Sequence, residues 1–386
     1  MICYDAFIKE VKAIYGEHFI PLHRPVFEGS ERQYVIDCID SNFVSSVGAQ
    51  VTEFEQRVAD YVGTEYAIAT VNGTAALHIA LDAVGVKFGE EVITQALTFV
   101  ATCNATRYCG AQPVFVDVDR DSLGMSPDSL RMFLDKFAER RDGGVFNKAS
   151  GRRVAACVPM HTFGMPCRVE EIVSVCDSFG IPVIEDAAES LGSYVGEKHT
   201  GSFGNLGTFS FNGNKVITTG GGGMIVTDDE VLAVKAKHIT TTAKVPHAWE
   251  FVHDEVAYNY RLPNLNAALG CAQIERLPEM LKAKADVTLR YSRALEGSSL
   301  ELVRPRTGIT VNNWLNTLLL PNRSERDVFL EYTNSRDVMT RPVWRLMHKL
   351  EMYKDCQHDG LNNSLWLEDR LVNIPSSVPE RAMGGF

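Results

Sequence analysis

In the stretch IPVIEDAA (181–188), a run of apolar and β-branched residues is followed directly by two acids. Similar runs recur along the chain, namely EYAIATV (65–71), EVITQAL (91–97), QPVFVDVD (112–119), RVAACVPM (153–160) and GTFSFN (207–212). Nearly continuous apolarity is typical of parallel strands that are covered by helices on both faces. Segments with helical spacing lie between most of these runs. We therefore predict an α/β fold with a mostly parallel central sheet.

The order of elements changes after GGMIVTDDE (222–230). A long helix is predicted from Asn264 to about Leu295, and a second domain begins on it. The predicted domains are a large α/β domain with the N-terminal segment (1–265) and a smaller C-terminal α+β domain (266–386). The polar, glycine-containing segment 142–153 is predicted to be a loop inserted between a helix and a strand.

Composition excludes several classes of protein. The chain has 386 residues and a net charge of −11, without the basic clusters that bind nucleic-acid phosphates. Its nine cysteines form no CxxC pair, so neither a disulfide framework nor a thiolate zinc site is expected. There is no signal-peptide pattern and no apolar run long enough to span a bilayer. We expect a cytoplasmic protein with neither a nucleic-acid nor a membrane partner.

Lys215 and Asp186 are the candidate catalytic residues. Asp186 ends a predicted strand, at the sheet edge where open α/β folds bind ligands, and Lys215 follows about thirty residues later in SFNGNKVITTGGGG (210–223). A pyridoxal-phosphate enzyme needs an amine to hold the cofactor aldehyde as a Schiff base and a carboxylate to keep its ring nitrogen protonated. The alternatives are a solvated surface lysine, and an acid that caps a helix or binds magnesium with Glu185 or Glu189.

Four further residues are candidates on local grounds. Gly73 and Thr74 lie between a strand and a helix, where backbone N–H groups and the helix dipole favour a phosphate, although simple helix capping by Asn72 or Thr74 is the alternative. Phe99 follows the second strand and could stack on a cofactor ring or belong to the core. His161 ends the fourth strand and is either a substrate ligand or a structural histidine.

Seven segments in order resemble the DegT/StrS-type sugar aminotransferases, which have the fold of type I pyridoxal-phosphate enzymes. They are NGTAAL, EVITQALTFVATCNA, VFVDVD, VPMHTFG, VIEDAAES, SFNGNKVITTGGGGM and YNYRLPNLNAALGCAQIE. Within that family the segments HTFG, EDAAESLGS, FNGNKVITTGGGG and TTTAKVPHAWEFVHDEVAYNYR are most similar to LegC-type enzymes. The resemblance implies transfer of an amino group from L-glutamate to C4 of a UDP-linked 4-keto-6-deoxy-N-acetylhexosamine, for a cell-surface glycan or a nonulosonic acid.

The resemblance also implies roles for single residues. Lys215 and Asp186 take the positions of the Schiff-base lysine and the pyridinium partner, and Phe99 takes that of the stacking aromatic. Glu189 replaces a glutamine that is common near the cofactor's 3-oxygen. The remaining positions are phosphate contacts at Gly73, Thr74 and Ser210, a phosphate contact from a neighbouring subunit at Asn259 with Arg261 beside it, and a sugar-nucleotide pocket that includes His161, Trp344 and His348. A homodimer or higher homo-oligomer with shared active sites follows.

Other functions remain open at this point. A dehydratase of the same family would carry histidine at the position of Lys215. A nicotinamide-dependent sugar-nucleotide oxidoreductase would need a GxGxxG after the first strand, which is absent, and the glycine run 220–223 precedes an apolar strand instead of a helix. A non-catalytic regulator could keep the fold alone.

Overall fold

The central sheet has the strand order β1-β11-β10-β7-β6-β2-β3 in the computed structural model, which describes residues 2–380 and the side chains from residue 4 onward. The link between β7 and β6 consists of the parallel bridges Val183 to Cys157 and Asp186 to Met160. The described strands are β1 (Tyr66–Thr70), β2 (Glu91–Gln95), β3 (Gln112–Val116), β4 (Ala138–Arg141), β5 (Gly144–Asn147), β6 (Val154–Val158), β7 (Ile184–Asp186), β8 (Tyr194–Val195), β9 (Lys198–His199), β10 (Leu206–Ser210), β11 (Gly223–Thr227), β12 (Lys244–Val245), β13 (Val252–His253), β14 (Glu301–Leu302), β15 (Ile309–Thr310), β16 (Asn316–Leu319), β17 (Arg341–Pro342) and β18 (Leu371–Ile374).

Only β11 runs antiparallel to its neighbours in this sheet, so the predicted mostly parallel α/β sheet is confirmed. The described helices are α1 (Ile2–Tyr15), α2 (Glu31–Asp40), α3 (Ala49–Val62), α4 (Gly73–Ala83), α5 (Val100–Tyr108), α6 (Pro127–Phe137), α7 (Val169–Phe179), α8 (Glu230–Thr240), α9 (Asn264–Glu275), α10 (Leu277–Ala294), α11 (Arg323–Asn334) and α12 (Asn362–Glu368). Short 3₁₀ helices cover Thr162–Gly164, Met347–Lys349 and Glu351–Tyr353.

Helices cover both faces of the sheet, as the apolar strands require. Successive residues of a strand point to opposite faces. In β2, Val92 packs in the cluster that contains Leu77 of α4, whereas Ile93 packs in the cluster that contains Leu130 of α6. Every residue of β2 is buried. Because both faces are dry, the polar groups that the chain needs for chemistry lie at the strand ends.

The C-terminal part of the chain forms an antiparallel sheet of order β14-β16-β18-β17. Its apolar cluster includes Tyr291 of α10 and Phe329 of α11. Tyr4 and Phe7 of α1 pack in the same cluster, so the N-terminal helix lies on the C-terminal unit and not on the large domain to which we assigned it. The boundary at residue 265 stays a prediction, and residues 381–386 of the predicted small domain lie outside the described residues.

Two local predictions are wrong. The long helix from Asn264 divides into α9 and α10 at Arg276, since Pro278 stands in the first turn of α10 and cannot donate the hydrogen bond that a continuous helix needs. The segment 142–153 is not a plain loop, because it contains β5, which pairs with β4 as an antiparallel hairpin.

Eight cysteines with described side chains are free thiols. Within residues 2–380, no helix combines the length and the apolar character that crossing a membrane requires.

Candidate active site

A cavity of about 260 Å³ lies at the carboxyl ends of β7 and β10 and at the start of α4. Ligands of open α/β sheets bind at this edge. The described lining brings together residues that are far apart in sequence, and those that the sequence nominated are Gly73, Thr74, Phe99, Asp186, Glu189, Ser210, Lys215 and Trp344. The cavity therefore collects most of the predicted site.

One end of the cavity is built by the first turn of α4. Asn72 caps this helix by accepting a hydrogen bond from the Ala75 N–H at 2.8 Å, so the capping role and a ligand-binding role coexist. The first N–H groups of a helix have no partner within it, and the helix dipole favours an anion there. A Cβ atom on Gly73 would lie 2.8 Å from Cβ of Ser210, which explains why glycine stands where α4 meets β10. This end suits a phosphate group.

Asp186 lies in another part of the cavity wall, at the end of β7. The residue is buried, with 2% of its surface exposed. Its Oδ2 accepts a hydrogen bond from the Thr102 hydroxyl at 2.7 Å, and its Oδ1 accepts one from the Ala188 N–H at 3.2 Å. Burial raises the pKa of this carboxyl, while the two hydrogen bonds and the positive charge of Lys215 oppose the rise. A buried carboxylate at a cavity wall favours a cationic ligand group such as a protonated ring nitrogen.

Lys215 lies in the segment after β10, beside a second buried carboxyl. Its Nζ is 3.3 Å from Oε1 of Glu189, whose other oxygen accepts a hydrogen bond from the Phe163 N–H at 2.8 Å. Burial raises the pKa of Glu189 to about 7, and the positive charge of Lys215 opposes that rise. The lysine amine therefore lies within reach of a buried carboxyl group that holds its proton more tightly than an exposed one.

Aromatic side chains border the cavity. The Phe99 ring is 48% exposed and 5.9 Å from the Trp344 ring, so one of its faces is available to a flat ligand. Trp314, which the sequence analysis did not single out, also lines the cavity, and Nζ of Lys215 lies 4.1 Å from its ring centre. Thr102, the partner of Asp186, was missed as well. Trp314 lies outside the seven segments that carry the resemblance, and Thr102 lies inside EVITQALTFVATCNA without a distinguishing pattern of its own, so only their contacts reveal them.

The prediction that His161 binds substrate is not supported, because the structure keeps its ring out of the cavity. The residue is fully buried, its Nε2 lies 2.9 Å from Oε2 of Glu185, and its Nδ1 accepts a hydrogen bond from the Cys167 N–H at 3.2 Å. Both ring nitrogens are therefore used within the protein. Its role is to hold the strand end next to Asp186, whose carbonyl accepts a hydrogen bond from the His161 N–H at 3.1 Å.

Three other predicted residues do not line the cavity of their own chain. His348 lies in the 3₁₀ turn Met347–Lys349, with its ring 5.4 Å from that of His358. Asn259 and Arg261 follow the hairpin of β12 and β13, and the Arg261 Nε donates a hydrogen bond to Asn259 Oδ1 at 3.0 Å. Asn259 is exposed to solvent.

These residues fit pyridoxal phosphate. A lysine amine, a buried carboxylate, an exposed aromatic face and a helix N-terminus match its aldehyde, ring nitrogen, ring and phosphate, respectively. The sequence profile of the DegT/DnrJ/EryC1/StrS aminotransferase family matches residues 26–380. The chain belongs to this family. It is therefore a sugar aminotransferase that depends on pyridoxal phosphate.

Relatives and solved structures agree with this assignment. The chain is 35% identical to GDP-perosamine synthase of Vibrio cholerae over 362 residues, which cover 92% of this chain and 94% of the relative. It is 39% identical over 337 residues (86% of this chain and 84% of the relative) to EpsN of Bacillus subtilis, whose name assigns it to the pyridoxal phosphate-dependent aminotransferases. The crystal structure of the aminotransferase TlmJ from Streptoalloteichus hindustanus superposes with a TM-score of 0.84 at 25% identity over 93% of each chain.

Proposed function

We propose that this aminotransferase moves an amino group from L-glutamate to C4 of a UDP-linked 4-keto-6-deoxy-N-acetylhexosamine, in the biosynthesis of a cell-surface glycan or a nonulosonic acid. The main support for the proposal is that Lys215, Asp186 and the start of α4 line the same cavity. The segments that resemble LegC-type enzymes support the choice of sugar and of C4.

Each residue of the site has its own role in the proposed reaction. Pyridoxal phosphate supplies a reactive aldehyde and a ring that withdraws electrons from the carbon that bears the amine. Lys215 would anchor the cofactor and, once displaced, would move the proton between the donor carbon that bears the amine and C4′ of the cofactor. Asp186 keeps the positive charge on the ring nitrogen, and the first turn of α4 with Ser210 holds the phosphate. Glu189, 3.3 Å from Nζ of Lys215, stabilises the lysine whenever it carries the proton.

The active unit is a homodimer in which Asn259 of one chain contacts the phosphate in the other, with Arg261 beside it. Two observations support this arrangement. Neither residue lines the cavity of its own chain, and Asn259 is exposed. The neighbouring hairpin segment exposes large apolar side chains, including Trp249 at 78% and Val256 at 90%. Exposed apolar patches of this kind are typical of protein interfaces.

Two nucleotides, UDP and GDP, are candidates for the carrier of the sugar substrate. Resemblance to LegC-type enzymes favours UDP, whereas the relative in Vibrio cholerae acts, by its name, on a GDP-linked sugar, so a GDP-linked 4-ketosugar is the second candidate. Trp344 at the edge of the cavity is a contact for the sugar in either case. His348, in the adjacent 3₁₀ turn, is the candidate contact for the nucleotide portion.

A panel of UDP- and GDP-linked 4-ketosugars, each incubated with ¹⁵N-labelled L-glutamate, tests the proposal. We expect ¹⁵N at C4 of the UDP-linked N-acetylhexosamine, identified by mass and NMR, and no product with Lys215→Ala. Transfer only to GDP-linked sugars would favour the second candidate. Loss of a hydroxyl without nitrogen transfer would indicate the dehydratase, although Lys215 occupies the position where that branch carries histidine.

A further inference from the structure

Lys215 has a second neighbour besides Glu189, and it comes from the C-terminal part of the chain. Trp314 stands in the segment between β15 and β16, is 3% exposed, and presents its ring 4.1 Å from Nζ of Lys215. Its indole Nε1–H donates a hydrogen bond of 2.6 Å to the carbonyl of Asn214, the residue before the lysine. An aromatic face attracts an ammonium group, most strongly where water is excluded. The lysine side chain is thus held between a carboxyl group and an indole ring.

Asn312 fixes these two holding groups relative to each other. Its Nδ2 donates hydrogen bonds to the carbonyls of Glu189 at 2.7 Å and Leu191 at 3.0 Å, and its Oδ1 accepts one from the Trp314 N–H at 2.9 Å. Its own N–H donates to the Ser193 hydroxyl at 3.0 Å. The side chain is 1% exposed, and all of these bonds are therefore shielded from water.

The same segment is attached to the C-terminal unit on its other side. Lys284 of α10 is 1% exposed, and its Nζ donates hydrogen bonds to the carbonyls of Trp314, at 3.3 Å, and Ser376. The Asn316 N–H donates to the Ser376 hydroxyl at 2.8 Å. The position of the Trp314 ring therefore depends on how the C-terminal unit meets the loop that carries Glu189.

We propose that Trp314 is a positioning residue for Lys215, that Asn312 sets the indole ring and the Glu189 carboxyl around the lysine amine, and that the C-terminal unit thereby controls the reactivity of that amine. This inference deepens the proposed function, on which it rests, since an amine that must carry a proton from one carbon to another has to stay in place after it leaves the cofactor. Trp314 does not need to touch the substrate for this role.

Acylation of Lys215 in the full-length chain without cofactor measures the effect directly. N-hydroxysuccinimidyl acetate reacts with the unprotonated amine, and peptide mass spectrometry follows Lys215 against the exposed Lys282 as the internal reference. We expect Trp314→Leu to raise the relative rate at Lys215 on the order of tenfold, because it removes the ring that favours the ammonium form. Trp314→Phe keeps an aromatic face and should give an intermediate rate.

Asn312→Ala should raise the acylation rate of Lys215 nearly as much as Trp314→Leu does, although the indole ring of Trp314 is intact in this variant. The matched control is Asn313→Gly, a neighbour in the same segment whose side chain bonds to Val311 and whose positive φ of 51° glycine adopts freely. It should leave the rate unchanged. An unchanged rate in folded Trp314→Leu overturns the proposal. If that variant does not fold by circular dichroism, unchanged rates in Trp314→Phe and Asn312→Ala overturn it instead. Because no sugar or glutamate is present, failure of the substrate assignment would leave this result intact.

Discussion

Replacement of Glu189 by glutamine should change how the stability of the cofactor-free protein depends on pH. Burial raises the pKa of this carboxyl from 4.5 to about 7, so the folded protein binds the proton more tightly than the unfolded chain does. Glu189 therefore costs nothing below pH 4.5, and its cost grows as the pH rises and is complete above pH 7. At 1.36 kcal/mol for each pH unit, the full cost is about 3 kcal/mol. Glu189→Gln removes this titration.

Urea unfolding at fixed protein concentration, between pH 5 and pH 8, measures the difference. We expect the free energy of unfolding of Glu189→Gln, relative to the wild type, to rise by about 2.5 kcal/mol across this range. Glu331→Gln, at an exposed position of α11, is the matched control and should show no such rise. A constant difference between Glu189→Gln and the wild type would refute the reasoning, because the carboxyl would then titrate alike in the folded and the unfolded protein.

The remaining predictions concern the cofactor and the subunits. Lys215→Ala should lose all turnover and the absorbance of lysine-bound cofactor while its circular dichroism is unchanged; retained turnover would exclude the lysine. Asp186→Asn should lower kcat about a hundredfold or more with a smaller effect on cofactor affinity, and a near wild-type kcat would remove the charge argument. Gly73→Ala should cost about 1–3 kcal/mol in urea unfolding, because the new Cβ meets Ser210. Mixed Lys215→Ala and Asn259→Ala chains, each inactive alone, should recover activity after subunit exchange, and no recovery would place Asn259 in its own chain's site.

The sequence predicts the sheet and the chemical groups at its edge because both depend on local patterns. Apolar runs such as EVITQ (91–95) are buried on both faces wherever they occur, and Asp186 follows such a run directly. Lys215 and Gly73 were found in the same way, as residues that follow or precede regular elements.

Local sequence patterns do not predict contacts between segments that are distant along the chain. Trp314 reaches Lys215 from about a hundred residues away, and nothing in its own segment, NNWLNT, indicates a ligand site. The position of His161 after a strand predicts a site residue, but its ring pairs with Glu185, a fully buried residue of β7. The helix α1 has an amphipathic pattern that does not say which unit covers it, and it packs against α10.

Borohydride reduction of the cofactor-loaded protein, followed by peptide mass spectrometry, shows which lysine carries pyridoxal phosphate. We expect a phosphopyridoxyl group on Lys215 alone. The strongest competitor is Lys284, since burial lowers its pKa to about 7 and so favours the unprotonated amine, which can attack the cofactor aldehyde. Lys284 is held by two carbonyls away from the cavity, and we expect no label there. A label on Lys284, or on any lysine other than Lys215, would contradict the account.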